Sequence, residues 1–378
     1  MEQKIKQFIK ENEQSLYALL KELCLIPAPS GKEDARAAYC KTWLEAQGAE
    51  GVYIDEAKNV VFPINAKDSD KLTVFVAHTD TVFPDEEPLP YREEGNIVYC
   101  PGVGDDTAQL VVMLHMAKFL IEEKISPKNG VLIVANAGEE GLGNLKGTRQ
   151  IFKDFEGRIA RFISIDASLD TMSTVCVGSH RYEVEVTTKG GHSYQAFGNK
   201  NSIAALADII TKIYAIDPPQ KPGSRVTYNV GIIEGGTSVN TIAQSAKMLC
   251  EYRSDDAECI DIMEAKFKAI FDEANKDDVT VKVTPVGKRP CERGVDPVAK
   301  KALIDLCAEV ITAVNGEAPK TKSSSTDCNI PLSLGIPAVC IGAIKSGGAH
   351  TREEWADKTS MLPGLEIVIK IANKLFEI

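Results

Sequence analysis

Residues 71–82 read KLTVFVAHTDTV. From Leu72 to Ala77 the run is apolar apart from Thr73, and it breaks abruptly into His78-Thr79-Asp80. A strand wet on one face would alternate apolar and polar. A short continuous run rich in β-branched and aromatic residues instead predicts a strand buried on both faces, as inside a parallel sheet. Whatever follows such a strand lies at the carboxyl edge of the sheet, where open α/β folds bind ligands.

The flanking chain extends this pattern. SLYALLKELCLI (15–26) has helical spacing and stops at PAPSG; TAQLVVMLHMAKFLIEEK (107–124) predicts a long helix. NGVLIVANA (129–137) and RFISIDA (161–167) predict two more buried strands, so strand and helix alternate as in a mostly parallel α/β sheet. From about residue 180 the texture changes. HRYEVEVTTKG alternates, and the order strand, helix (201–215), strands (224–236, 246–254), helix (259–275), strand (278–286) is the βαββαβ ferredoxin-like arrangement. After CERGVDP the first texture returns with helix 298–311, strand IPAVCIGA (336–343) and helix 362–376. The expected fold is therefore an α/β, mostly parallel-sheet domain built from 1–178 and 292–378, interrupted by an α+β ferredoxin-like domain at 179–291.

Composition limits the function. A chain of 378 residues with 44% hydrophobic and 26% charged residues is ordinary for a globular protein and excludes a largely disordered one. The formal charge of -11 argues against nucleic acid or an anionic membrane as main partner, since both want a basic face. No apolar run approaches the ~20 residues of a membrane span, and MEQKIKQFIKENEQ lacks a signal peptide's apolar core. The ten cysteines show no CxxC pair, and several sit in apolar runs. Buried, reduced thiols and a cytoplasmic location are expected.

Each buried strand is followed by groups that bind cations or move protons. KLTVFVA leads to His78 and Asp80, NGVLIVANA to Glu139 and Glu140, RFISIDA contains Asp166, and IPAVCIGA leads to His350. PGVGDD places Asp105 and Asp106 just before a helix. Singly, each has a bland reading: an aspartate pair commonly caps a helix, and a glutamate pair in a glycine-rich loop is commonly solvated. Together, in this order, imidazoles and carboxylates on one sheet edge point to a site for zinc, cobalt or manganese rather than calcium. GLGNLKG (141–147) is not a dinucleotide loop, because its third glycine is misplaced and two glutamates precede it. His115, among Val, Leu and Met on a helix, is expected to be structural.

On the motifs HTDTV (78–82), GVGDD (102–106), AGEEGLG (137–143), SIDA (164–167), GGHSY (190–194) and GGAHTREEW (347–355), the sequence resembles the dinuclear-zinc exopeptidase family of peptidase T, the dipeptidases, aminoacylase and carboxypeptidase G type enzymes. The resemblance covers nearly the whole chain and is closest to peptidase-T-like members. It implies that His78 and Asp166 bind one divalent metal ion and Glu140 and His350 a second, with Asp105 bridging. It implies Glu139 as general base and Asp80 as the group holding the far ring nitrogen of His78. It further implies His192 as oxyanion donor, in cis or across a dimer, and Asn240 and Arg253 as holders of the substrate's carboxylate end; a forked guanidinium suits that task. The inserted domain would be a lid and the homodimer contact.

The family commonly has lysine two residues after the bridging aspartate, where this chain has Thr107. Asp rather than Glu at 166 tilts the reading towards aminopeptidase-, tripeptidase- or dipeptidase-like action on short peptides. The alternatives are hydrolysis of N-acyl amino acids (or carboxypeptidase action) and a non-catalytic metal or peptide binder.

Overall fold

The computed structural model of the chain describes residues 1–376. The chain divides into two compact units, Met1–Cys176 together with the chain from Arg293 onward, and Val177–Glu292. The limits read from sequence are 178/179 and 291/292.

In the first unit, a large sheet runs in the order Tyr53–Ile54, Val60–Ile64, Gly130–Asn136, Leu72–His78, Ile159–Ser168, Ala338–Gly347, Trp355–Asp357, Ile97–Tyr99, Arg92–Glu94. The inner four, from Gly130–Asn136 to Ala338–Gly347, are parallel. The outer pairings are antiparallel. Off this path, Thr171–Cys176 pairs in parallel with Lys320–Ser324 and antiparallel with Ala338–Gly347. These short edge pieces have no strong sequence pattern and were not expected.

The inner strands are apolar on both parities because both faces are covered. Phe75, Ala77, Ile133, Ile165 and Ile341 pack into one cluster with residues of the helices Glu2–Cys24, Ala108–Glu122, Pro297–Asn315 and Met361–Phe376. Val74, Val76, Leu132, Val134, Phe162 and Cys340 pack into another with Ile151, Ile330 and Leu332. Phe75 is fully buried and meets Phe376 edge to face at 6.4 Å. Truncating it to alanine should cost about 3–5 kcal/mol.

Chain direction sets the site. Helix Ala108–Glu122 carries the chain from Leu72–His78 to Gly130–Asn136 on one side, and Lys146–Asp154 returns it to Ile159–Ser168 on the other. The winding therefore reverses at Leu72–His78, which opens a crevice beyond the carboxyl ends of Leu72–His78 and Ile159–Ser168.

The second unit has a four-stranded antiparallel sheet in the order Val226–Gly235, Ser245–Ser254, Gly178–Thr188, Val279–Arg289. Val184, Val186, Met248 and Tyr252 share a core with Leu206 and Ile209 of helix Ser202–Tyr214 and with Met263 and Phe267 of helix Ala257–Ala274. Both helices start on side-chain caps, Asn201 accepting from Ile203 and Ala204, and Asp256 from Cys259. This is the ferredoxin-like arrangement read from the sequence. A two-stranded ribbon, Gly191–His192 against Thr241–Ile242, adjoins it in sequence.

All ten cysteines are buried, with no disulfide among the described residues. No described helix is long and apolar enough to cross a membrane.

Candidate metal centre

His78 ends the central strand and is buried. Its Nδ1 lies 3.0 Å from the Asp80 carbonyl oxygen, so that nitrogen carries the proton and donates it. The other ring nitrogen, Nε2, then faces Asp105 Oδ1 at 3.0 Å. Asp105 sits in the tight turn Val103–Thr107 before helix Ala108–Glu122. Its second oxygen is 3.1 Å from His350 Nε2, which is also 3.2 Å from Glu140 Oε1. One carboxylate thus spans two histidines.

Asp166 arrives by a bulge. Ile341 pairs with Ile165 and Gly342 with Ala167, so the register skips Asp166; such bulges re-aim a side chain. Gly342 is required there, since a Cβ would sit 2.0 Å from the Ser168 carbonyl oxygen.

Three groups of side chains place one ligand atom each within 4.8 Å of one another: His78, Asp105 and Asp166; Asp105, Glu140 and His350; and His78, Glu139 and Glu140. The first two share Asp105. Six of the eight residues expected along the sheet edge fall into these overlapping groups, Glu139 among them.

The electrostatics fit a cation pair. Burial, then the charge of Asp105, push Asp166 up to about 8. Burial drives Asp106 well above the usual carboxylate range. Hydrogen bonds to Asp105 and Glu140 raise His350 to about 10. Burial alone would lower His78, but Asp106 and the contacts to Asp105 and Asp80 carry it well above its ordinary value. Asp106 Oδ1 is buried and accepts no hydrogen bond from any described residue. Buried carboxylates crowded like this need nearby positive charge, which divalent ions would supply. The donor set, imidazole nitrogen with carboxylate oxygen, suits zinc, cobalt or manganese.

The chain matches the model of Peptidase family M20/M25/M40 over residues 74–374. It belongs to that family. Among curated proteins it is 27% identical over 346 residues to succinyl-diaminopimelate desuccinylase of Corynebacterium glutamicum, covering 89% of this chain and 90% of the relative. Among solved structures it resembles a tripeptidase from Staphylococcus aureus (22% identity, TM-score 0.76, 97% of this chain and 99% of that one). It also resembles the aminopeptidase PepT from Bacillus cereus (20% identity, TM-score 0.73, 96% and 99%). Membership makes this an enzyme that hydrolyses amide bonds.

One of the expected residues does more than the resemblance implies. Asp80 was expected to hold His78 by its carboxylate, yet its carbonyl oxygen is nearer Nδ1, at 3.0 Å, than its Oδ1, at 3.5 Å. The carboxylate, with Oδ1 facing Nδ1, also accepts the main-chain N–H of Glu139 and of Glu140, each at 3.0 Å, and the Ser30 hydroxyl at 2.5 Å. Burial opposes its charge, but His78 and these donors hold it at about 2. Asp80 is thus a clamp on the glutamate turn.

Two participants in this family member were not legible in sequence. Glu354, four residues after His350, is buried and accepts the N–H groups of Gly102 (2.7 Å), Gly104 and Asp105 (2.8 Å each). Burial raises it to about 7. Its position in GGAHTREEW was the only signal. The other is Arg36, whose guanidinium meets Thr107, where the family commonly has lysine.

The remaining expected residues lie in the second unit. His192 and Asn240 share the ribbon, where Ser193 N–H donates to the Asn240 carbonyl at 2.9 Å. Arg253, on Ser245–Ser254, forks onto Glu251 at 2.7 and 3.0 Å. His115 is structural: Nδ1 donates to the Val111 carbonyl at 3.0 Å and the ring packs on Trp43. Asp327 accepts from Asn136 and Thr148.

Proposed function

We propose that this family member is a cytoplasmic two-metal exopeptidase, removing a residue from the amino end of di- or tripeptides. The observation that carries it is the Asp105 carboxylate, 3.0 Å from His78 on one side and 3.1 Å from His350 on the other, with Asp166 and Glu140 flanking. His78 and Asp166 would hold one divalent ion, Glu140 and His350 the second, and Asp105 both, with zinc the best match and cobalt or manganese suitable. Such ions polarise the scissile carbonyl and lower the pKa of attacking water.

The chain's own groups do the rest. Glu139, buried and held by Asp80 through its main chain, would take the water's proton and pass it to the leaving amine. His192 would donate to the carbonyl oxygen as negative charge develops. Arg253 and Asn240 would receive the substrate's terminal carboxylate, Arg253 exchanging its fork from Glu251. Asp166, by resemblance, favours substrates with a free amino end.

A second reading, hydrolysis of N-acyl amino acids, draws support from the 27% identity to a desuccinylase. A panel of di- and tripeptides and N-acetyl and N-succinyl amino acids, assayed with and without chelator, separates the two. Cleavage of capped substrates alone selects the second reading; no chelator-sensitive cleavage of any sinks both.

Pairing of two copies through the second unit accompanies this reading. Ile232 and Ile233 on the edge strand Val226–Gly235, and Ile203 and Tyr214 on helix Ser202–Tyr214, are exposed. An unpaired edge with apolar residues is a natural self-association surface. Sedimentation showing a monomer would remove it.

A further inference from the structure

Helix Asp34–Ala46 turns one side chain inward that its apolar spacing does not explain. Arg36 is 2% exposed, although arginine is almost never fully buried without a paired charge. Its donors reach three separate segments. Nε and Nη2 go to the Ile26 carbonyl at 3.1 and 2.6 Å, and Nη2 also to Leu23 at 2.9 Å. Nη1 goes to the Thr79 carbonyl at 2.9 Å and the Thr107 hydroxyl at 3.3 Å. These acceptors are carbonyls and a hydroxyl, so no carboxylate hydrogen bond among the described residues offsets the desolvation of the charge.

The acceptors explain the placement. Thr79 lies between His78 and Asp80, and its own N–H and hydroxyl are tied to the Asn136 carbonyl at 2.7 and 2.9 Å. Thr107 is two residues beyond Asp105, and its N–H closes the turn onto Gly102 at 3.2 Å. One rigid fork therefore fixes the spacing between the segment carrying His78 and the turn carrying Asp105.

We propose that Arg36 is a positioning residue for the metal centre, locking the His78 and Asp105 segments at the separation that two divalent cations require. The proposal rests on the two-metal reading above. Lysine could keep the charge but not the fork, because its ammonium cannot reach Thr79, Thr107 and the Leu23–Ile26 loop with one planar group.

The test uses the whole metal-free chain and cobalt(II) as probe, reading affinity by competition with a chromophoric chelator and the ligand-field spectrum of the bound ion. Arg36→Met should lower cobalt affinity by about 10- to 100-fold, the range for groups that orient ligands, and shift the spectrum. Arg36→Lys should recover only part. Thr107→Val, which removes one acceptor, should lower affinity by about threefold, roughly one modest hydrogen bond. Leu375→Ala, a buried change in helix Met361–Phe376, serves as control: it should lower the melting temperature and leave affinity and spectrum unchanged.

Wild-type affinity and spectrum in Arg36→Met overturn the proposal, as does an equal loss in Leu375→Ala. Should Arg36→Met not fold, unchanged cobalt binding by both Arg36→Lys and Thr107→Val overturns it. A wild-type chain that takes up no cobalt removes the two-metal reading, and this proposal with it.

Discussion

The two units carry their polar groups in opposite ways. In the first, His78, Glu139 and Glu140 are buried, and Asp80, Glu354 and Arg36 brace the segments that bear them. In the second, His192, Asn240 and Arg253 lie on a short ribbon and a strand near its end, with Tyr194 at 87%, Phe197 at 90% and Val239 at 102% exposure beside them. Bond-breaking chemistry needs preset geometry, because a displacement of about 1 Å can cost 100-fold in rate. Recognition of varied substrates tolerates exposure, since surface side chains adjust at little cost in stability.

Four experiments can break or sharpen that contrast. Glu139→Gln should keep the full metal content while kcat falls by about 100- to 10,000-fold, the range for a general base; elemental analysis alongside steady-state kinetics reads both. An active Glu139→Gln enzyme would refute the assignment. His192→Ala should lower kcat by about 100-fold or more, as for loss of an oxyanion donor, without moving the melting temperature. A lowered melting temperature would show that the ribbon is braced like the first unit.

Glu354→Gln should act as a structural change with a chemical readout. Losing the charge behind three N–H bonds should cost about 2 kcal/mol of stability in denaturant unfolding and weaken cobalt binding. Unaltered binding would mean that the Gly102–Asp105 turn holds itself.

The last experiment contrasts two histidines of the first unit. Burial depresses His115 to about 4, whereas His78 is carried upward by its carboxylates. Between pH 6.5 and 4 the unfolded chain would protonate His115 and the folded one would not. Its contribution is therefore intact above pH 6.5 and is lost as pH falls towards 4, by about 3 kcal/mol in all. His115→Gln should flatten that part of the pH–stability curve; an unchanged slope would assign acid sensitivity elsewhere.

What the sequence disclosed follows the same division. The four parallel strands were legible because burial on both faces leaves a continuous apolar run, and the ferredoxin-like unit because a half-wet sheet alternates. The metal-binding candidates were legible because all but Asp105, which precedes a helix, follow or lie near the end of such a strand. Arg36, Glu354 and the clamp made by Asp80 were not. Their partners are main-chain carbonyl and N–H groups, which every residue owns, so no local pattern marks them. Asp166 shows the intermediate case: its type was readable, but the bulge that aims it depends on a strand more than 170 positions later, Ala338–Gly347.

Ser179 and Arg289 are direct neighbours across two paired strands of the second unit. The polypeptide therefore departs from and rejoins the first unit through points only about 5 Å apart, the spacing of paired strands. An excursion of over a hundred residues whose ends nearly touch is a cassette: one short turn could close the gap. Exchanging it would replace His192, Asn240 and Arg253 together and leave the metal-binding candidates of the first unit untouched.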